Sequence, residues 1–229
     1  MKQFSFTILR LMWGLFLYSL GIVFTINAHI GYAPWDVFHI GLANTIGLSI
    51  GTVSILLGII IGLMSVLLGE KIGIGTILNM IFIGVFLDII LMLNVIPVAD
   101  NLLLGIIMLF VGLFIISFAT YFYIGSALGA GPRDSLMVAV TRITKLPIGI
   151  CRGIIEFFVV IIGWMLGGMV GIGTVLAAFG IGFCVQITFS LLKFDATRVK
   201  HETIADTYRK LFNKKTPDDF EQEELLQNE

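Results

Sequence analysis

The sequence predicts an all-α polytopic membrane protein with six transmembrane helices arranged as two inverted three-helix repeats, each with a short interfacial or re-entrant helix. Three observations predict it. Hydrophobic residues make up 58% of the 229-residue chain and charged residues only 13%, whereas a soluble domain carries about 25% charge. The second half repeats the first at a fixed, ungapped offset of 98: Pro34 and Asp36 match Pro132 and Asp134, and Gly73-Ile74-Gly75-Thr76 matches Gly171-Ile172-Gly173-Thr174. Lys and Arg recur only in alternate connections between the apolar stretches.

The apolar stretches run at about 7–28, 50–69, 74–94, 102–124, 148–168 and 171–193. Each approaches or exceeds the roughly 20 residues that a spanning helix needs. The first has the basic start of a secretory signal, with Lys2 and Arg10. Its repeat partner at 102–124 cannot be one, so the segment is expected to stay in the protein. The offset also matches Gly14-Leu15-Phe16 to Gly112-Leu113-Phe114, Leu48, Ile50 and Gly51 to Leu146, Ile148 and Gly149, and Ile83-Gly84 to Ile181-Gly182.

Between the first and second span of each copy lies a shorter stretch. One begins Gly31-x-x-Pro34-x-Asp36 and the other Gly129-x-x-Pro132-x-Asp134. Proline at a first helical position has no N–H to leave unpaired, and a carboxylate suits the positive end of a helix. Each stretch is therefore expected to form a short helix.

The connections at about 29–49, 95–101 and 169–170 hold no Lys or Arg, whereas the others hold Lys71 or Arg133, Arg142 and Lys145. Basic loops mark the cytoplasmic side, so both termini are expected there. Three spans per copy then make the duplication inverted. That places the Pro34–Asp36 turn near the outer face and the Pro132–Asp134 turn near the inner face, with Trp35 replaced by Arg133 to suit. The units expected are a first repeat at 1–98, a second at 99–193 and a charged tail at 194–229. In the tail, Ile204, Tyr208, Leu211 and Phe212 are spaced for one face of an amphipathic helix. Arg209, Lys210, Lys214 and Lys215 suit anionic lipid or simply water. Beyond Pro217 the composition is acidic and polar, as in disordered chains.

The candidate solute or ion residues are Asp36, Asp134, Asp88, Gln186, Arg152 and Glu156, framed by the motif residues Gly31, Pro34, Gly129 and Pro132. Asp36 and Asp134 suit a proton, cation or solute site, or alternatively helix-start carboxylates that satisfy free backbone donors. Asp88 and Gln186 occupy equivalent positions and suit a shared central site, unless Asp88 lies at the membrane boundary. Arg152 and Glu156 suit an i,i+4 ion pair, or a proton or substrate site. An unpaired charge at bilayer depth costs about 2.5–3.5 kcal/mol. Gly58-x-x-x-Gly62 and Gly163-x-x-x-Gly167 are read as packing motifs. His29 and His39 are read as interfacial, and Cys151 and Cys184 as reduced buried thiols.

With the duplicated Gly-x-x-Pro-x-Asp turns and Gly-Ile-Gly-Thr helix starts on a six-span body, residues 5–195 resemble the YczE/YyaS/YitT group of bacterial integral membrane proteins, nearest its YczE-like branch. The resemblance implies a bacterial cytoplasmic membrane and supplies no site residues.

The function expected is passage of a small solute or ion, as a transporter or channel, and not enzyme catalysis. The alternative is a non-transporting partner that assembles or regulates another membrane complex, for which a sealed, apolar interface between the repeats is the mark. Expected partners are the lipid bilayer, a solute or ion, and a second copy or another protein. No pattern points to nucleic acid, a cofactor or a metal.

Overall fold

The computed structural model describes residues 2–211. Phe212, Lys214, Lys215 and the acidic stretch after Pro217 lie outside the described residues. The helices are α1 (Lys2–Asn27), α2 (Pro34–Ile46), α3 (Ile50–Leu67), α4 (Ile74–Leu93), α5 (Leu102–Ile124), α6 (Pro132–Thr144), α7 (Ile148–Met165), α8 (Ile172–Leu191) and, after a single 3₁₀ turn, α9 (Ile204–Leu211). Six of them are long and apolar enough to cross a membrane: α1, α3, α4, α5, α7 and α8. At 13 residues each, α2 and α6 reach about 20 Å and fall short of the ~30 Å hydrocarbon core. No strand occurs among the described residues.

The helix ends follow local chemistry. Pro34 and Pro132 open α2 and α6 as first helical residues. Ser49 caps α3 by accepting from the Thr52 amide, and Asn101 caps α5 by accepting from Leu104. The spans α3 and α7 end a few residues before the sequence-based limits of 69 and 168. In each, a glycine with positive φ closes the last turn: Gly69 at +91° and Gly167 at +92°. Reversal is completed by Glu70 N–H donating to Ser65 O and Gly168 N–H donating to Gly163 O, the bond that left-handed glycine ends provide.

The central scaffold is the pair α1 and α5. Their backbones approach at Gly14 with Ala119, Gly21 with Gly112, and Ala28 with Gly105. Numbers rise along one helix as they fall along the other, so the two run antiparallel, with contacts every seven residues. A side chain at Gly21 or Gly112 would lie 2.8 Å from the other's carbonyl oxygen, so the axes can close this tightly only with glycine there. Around this pair, α4 packs on α1, α8 on α5, and α3 on α4. Each short helix rests mainly on the second span of the other half: α2 on α7 and α6 on α3.

The tail is docked. Glu202 N–H donates to Ala127 O at 2.7 Å and Ile204 N–H to Ile72 O at 3.2 Å. In α9 it is Thr207 that is buried, while Ile204 and Tyr208 are exposed.

Candidate functional site

The two repeated strings meet each other. Gly173 N–H donates to Ile30 O at 2.8 Å, and Gly75 N–H donates to Leu128 O at 2.7 Å. Both partners of the second bond lie 98 positions from those of the first. The Gly31 turn of one half thus sits on the Gly-Ile-Gly-Thr start of α8, and the Gly129 turn sits on the matching start of α4. Thr76 Oγ1 adds a bond to Ala130 O at 2.7 Å. Gly31 (φ +112°) and Gly129 (φ +128°) adopt backbone geometry that a side chain resists.

These turns aim the starts of α2 and α6 inward, and the residues after the two prolines touch. The Arg133 guanidinium lies 4.6 Å from the centre of the Trp35 ring. The two turns, expected near opposite membrane faces, thus bring their helix starts into side-chain contact. Trp35 and Arg133, at equivalent positions of the two halves, form one cation–π contact, worth about 2 kcal/mol when desolvated. Arg133 Nη2 also lies 3.2 Å from His39 Nε2. Guanidinium only donates, so His39 Nε2 accepts and its proton resides on Nδ1, 3.8 Å from Asp36 Oδ1. His39, expected at the interface, is buried at 2% exposure. His29 is exposed.

A cavity of about 300 Å³ opens between the halves, with every helix from α1 to α8 contributing to its wall. Its lining includes seven pairs of equivalent positions: Tyr18 and Ile116, Ile22 and Thr120, Trp35 and Arg133, His39 and Met137, Ser54 and Arg152, Gly58 and Glu156, Ile83 and Ile181. Six of the seven pairs combine different residue types. The cavity thus lies where the two halves face each other, and its two sides differ chemically.

Asp134, Arg152 and Glu156 line this cavity. Arg152 Nε bonds Glu156 Oε1 at 2.8 Å. Asp36 is buried at 6% exposure behind His39. The N-cap residues of α2 and α6, Ala33 and Gly131, make no side-chain cap bond, and Asp36 and Asp134 lie in the first turns that follow. Asp88 is elsewhere. It accepts from Ser49 Oγ at 2.5 Å and from Gly51 N–H at 2.8 Å, which ties α4 to the start of α3. Gln186 is exposed and outside the cavity wall. The shared Asp88–Gln186 site is therefore corrected: Asp88 satisfies one free amide at the start of α3 and the hydroxyl of its cap, partners that only folding brings to it. Gly58 and Gly62 pack against Met80. Cys151 and Cys184 are buried and free.

Sequence reasoning passed over Tyr18 and Tyr123, and gave Trp35 and His39 no place in the site. Tyr18 stands at the centre of the site, within electrostatic reach of Arg133, Asp134, Asp36 and Arg152. Tyr123 is 4% exposed, and its enclosed hydroxyl has no hydrogen-bond partner among the described residues. The available signal was mismatch between equivalent positions, such as Tyr18 against Ile116.

Residues 5–190 match the model of a family of unknown function, DUF6198. The chain belongs to this family. Among its relatives is an uncharacterized protein of Haemophilus influenzae, 35% identical over 186 residues, covering 81% of this chain and 84% of that protein. The uncharacterized membrane protein YczE of Bacillus subtilis is 34% identical, covering 76% of this chain and 81% of its own length. YyaS, an uncharacterized protein of the same organism, is 30% identical, covering 71% and 82%. These relatives agree with the group that the turn and helix-start motifs suggested. No solved structure matches the chain significantly.

Proposed function

We propose that this family member is a carrier that moves a small solute across the bacterial cytoplasmic membrane by alternating access, with both termini in the cytoplasm. In this reading residues 1–98 and 99–193 are inverted repeats, α2 and α6 are re-entrant helices, and the tail from 194 is a cytoplasmic strap. The antiparallel run of α1 and α5, the first spans of the two halves, supports inversion. A charged cavity between the halves counts against the non-transporting partner, for which a sealed apolar interface was the mark.

The observation that carries the reading is a difference between equivalent helix pairs. In the first half α3 packs on α4 at Gly51 and Gly84; a Cβ on Gly51 would lie 2.1 Å from Gly84 O, and one on Gly84 2.4 Å from Gly51 O. The equivalent glycines of α7 and α8 are Gly149 and Gly182, and a Cβ on either would meet nothing within 4 Å. One pair is closed and the other parted, on either side of one cavity. Inverted repeats exchange such arrangements to open a midplane site to each side in turn. Gly149 and Gly182 are then surfaces that close in the other state.

Spin labels at Gly149→Cys and Gly182→Cys, in a Cys151→Ala, Cys184→Ala background, test this in membranes. Two interconverting separations are expected, and cross-linking the pair stops uptake into proteoliposomes screened with labelled solutes. A single fixed separation, together with no saturable uptake, refutes the carrier.

A further inference from the structure

We propose that the cavity holds its solute by a protonated amine, seated between Asp134 and Tyr123; this rests on the carrier reading and names its substrate class. The charges in and next to the cavity are unequal. Arg152 is satisfied by Glu156 at 2.8 Å. Arg133 lies on Trp35 and donates to His39, with Asp36 behind that imidazole. Asp134 is the carboxylate left over. Arg133, Arg152 and His201 are close enough to act on it through space, yet none comes within ion-pair distance. Asp134 is exposed to the cavity, so a solute can reach its carboxylate, and a cationic group there supplies the charge that no described side chain brings.

The second observation is independent of charge. The Tyr123 hydroxyl is enclosed and has no hydrogen-bond partner among the described residues, an unfavourable state for a polar group. It lies beside the same point as Asp134: a Cβ built on Gly131 would be 3.1 Å from Asp134 Oδ2 and 3.6 Å from Tyr123 Oη. Gly131 has no side chain to separate the two, and the hydroxyl itself has no solvent-accessible surface, so a solute amine at Asp134 reaches it when the phenol turns toward the cavity. A primary or secondary ammonium brings both positive charge and N–H donors, so it satisfies the carboxylate and the phenol oxygen together. A quaternary ammonium has no N–H to offer, and a carboxylate solute meets repulsion from Asp134. An inorganic cation would leave most of a cavity of about 300 Å³ unfilled. Ile22, Ile61, Ile83 and Ile116 in the same wall suit a short hydrocarbon body.

The test uses the purified full-length protein in lipid nanodiscs, with butylammonium as the probe followed by saturation-transfer NMR. Tetramethylammonium, butyrate and sodium serve as competitors. Saturable butylammonium binding is expected, with each competitor at least about tenfold weaker, since a charge-assisted hydrogen bond is worth about 1.5–3 kcal/mol. Asp134→Asn should weaken binding by about tenfold or more on the same grounds. Tyr123→Phe should weaken it by about threefold or more, while the unliganded protein melts no lower than wild type, because the enclosed hydroxyl is gone. The proposal is overturned by absence of saturable amine binding, by equal affinity in either folded variant, or by tighter binding of tetramethylammonium, butyrate or sodium. If Asp134→Asn does not fold, Tyr123→Phe decides. Two separations between the labels on α7 and α8 without amine binding would remove the substrate class and leave the carrier standing.

Discussion

Replacing Gly31 with alanine combines two costs that the structure allows to be separated. At φ +112°, an L-residue is held in a region that costs about 1–3 kcal/mol. The new Cβ would also lie 2.5 Å from Gly171 N and 2.7 Å from Gly171 Cα. Those are backbone atoms of the α8 start, which cannot swing aside as a side chain tip can. Overpacking of this kind costs about 1–3 kcal/mol, and relief of it stretches the Gly173 N–H to Ile30 O bond. Gly31→Ala should therefore destabilise by about 2–6 kcal/mol. Two further glycines act as controls. Gly47 has φ +71° but nothing within 4 Å of its Cβ position, so Gly47→Ala should cost only the backbone share, about 1–2 kcal/mol. Gly153 has nothing within 4 Å and no positive φ, so Gly153→Ala should leave stability unchanged or raise it by up to about 1 kcal/mol. Thermal unfolding of the purified variants, followed by tryptophan fluorescence, gives the order. At about 2–4 °C per kcal/mol for a chain of this size, Gly31→Ala should melt several degrees below Gly47→Ala. Equal melting of those two would show that the turn does not bear on α8, and the crosswise docking of the repeated strings would fall.

Three further outcomes follow from individual contacts. Asp88→Ala removes the acceptor for Ser49 Oγ and Gly51 N–H and should cost about 1–3 kcal/mol of stability with amine binding intact; unchanged melting with lost binding would return Asp88 to the site. Arg152→Ala and Glu156→Ala each strand a charge, so their double variant should be milder than the sum, with a coupling of at least about 0.5 kcal/mol in a thermal double-mutant cycle; strict additivity would mean that the 2.8 Å pair does no more than occupy space. In the tail, hydrogen bonds from the Thr203 hydroxyl and amide hold the Asp206 carboxyl below its ordinary value of 3.8. A depressed carboxylate stabilises the folded form above that ordinary value and loses the contribution as pH falls through the depressed one. The anisotropy of a fluorophore at the exposed position 205 should therefore stay constant from neutral pH down to about 4 and fall below it. A decline that begins near pH 6, in the histidine range, would assign the docking to another group.

The parts of this molecule that were legible in the sequence are those whose causes are local. Apolar runs of bilayer length gave six spans, and Gly-x-x-Pro-x-Asp gave two short helices with the right starts. The Arg152–Glu156 pair was legible because its partners are four residues apart on one helix. What stayed hidden depends on partners distant in the chain. His39 looked like a lone interfacial imidazole, but its contact Arg133 lies 94 positions away. Asp88 looked like a site carboxylate, but its partners at the α3 start lie 37 and 39 positions upstream. The repeated strings were seen as a duplication, yet each string docks on a different string of the opposite half. Alignment of equivalent positions cannot display that.

The same duplication carries two kinds of information, and they separate by whether the copies agree. Where equivalent residues match, as in Gly31 with Gly129 or Gly75 with Gly173, they build the frame: turns, close approaches and the two crosswise backbone bonds. Those demands are identical in both halves, so identical residues meet them. Where equivalent residues differ and still face one another, they build the cavity. Trp35 against Arg133, Gly58 against Glu156 and Ser54 against Arg152 each give one side a function that its counterpart lacks. A wall with the same residues in both copies would bring like charges face to face, an arrangement that costs energy without a counter-charge. Divergence at these positions lets Arg133 find Trp35 and Arg152 find Glu156, whereas Asp134, which matches Asp36 in type, lines the cavity without an ion-pair partner among the described residues. Gly149 and Gly182 fit neither kind, since they match the frame glycines Gly51 and Gly84 but touch nothing in this arrangement. The carrier reading gives them a role in a second arrangement, in which α7 closes on α8 as α3 closes on α4 here.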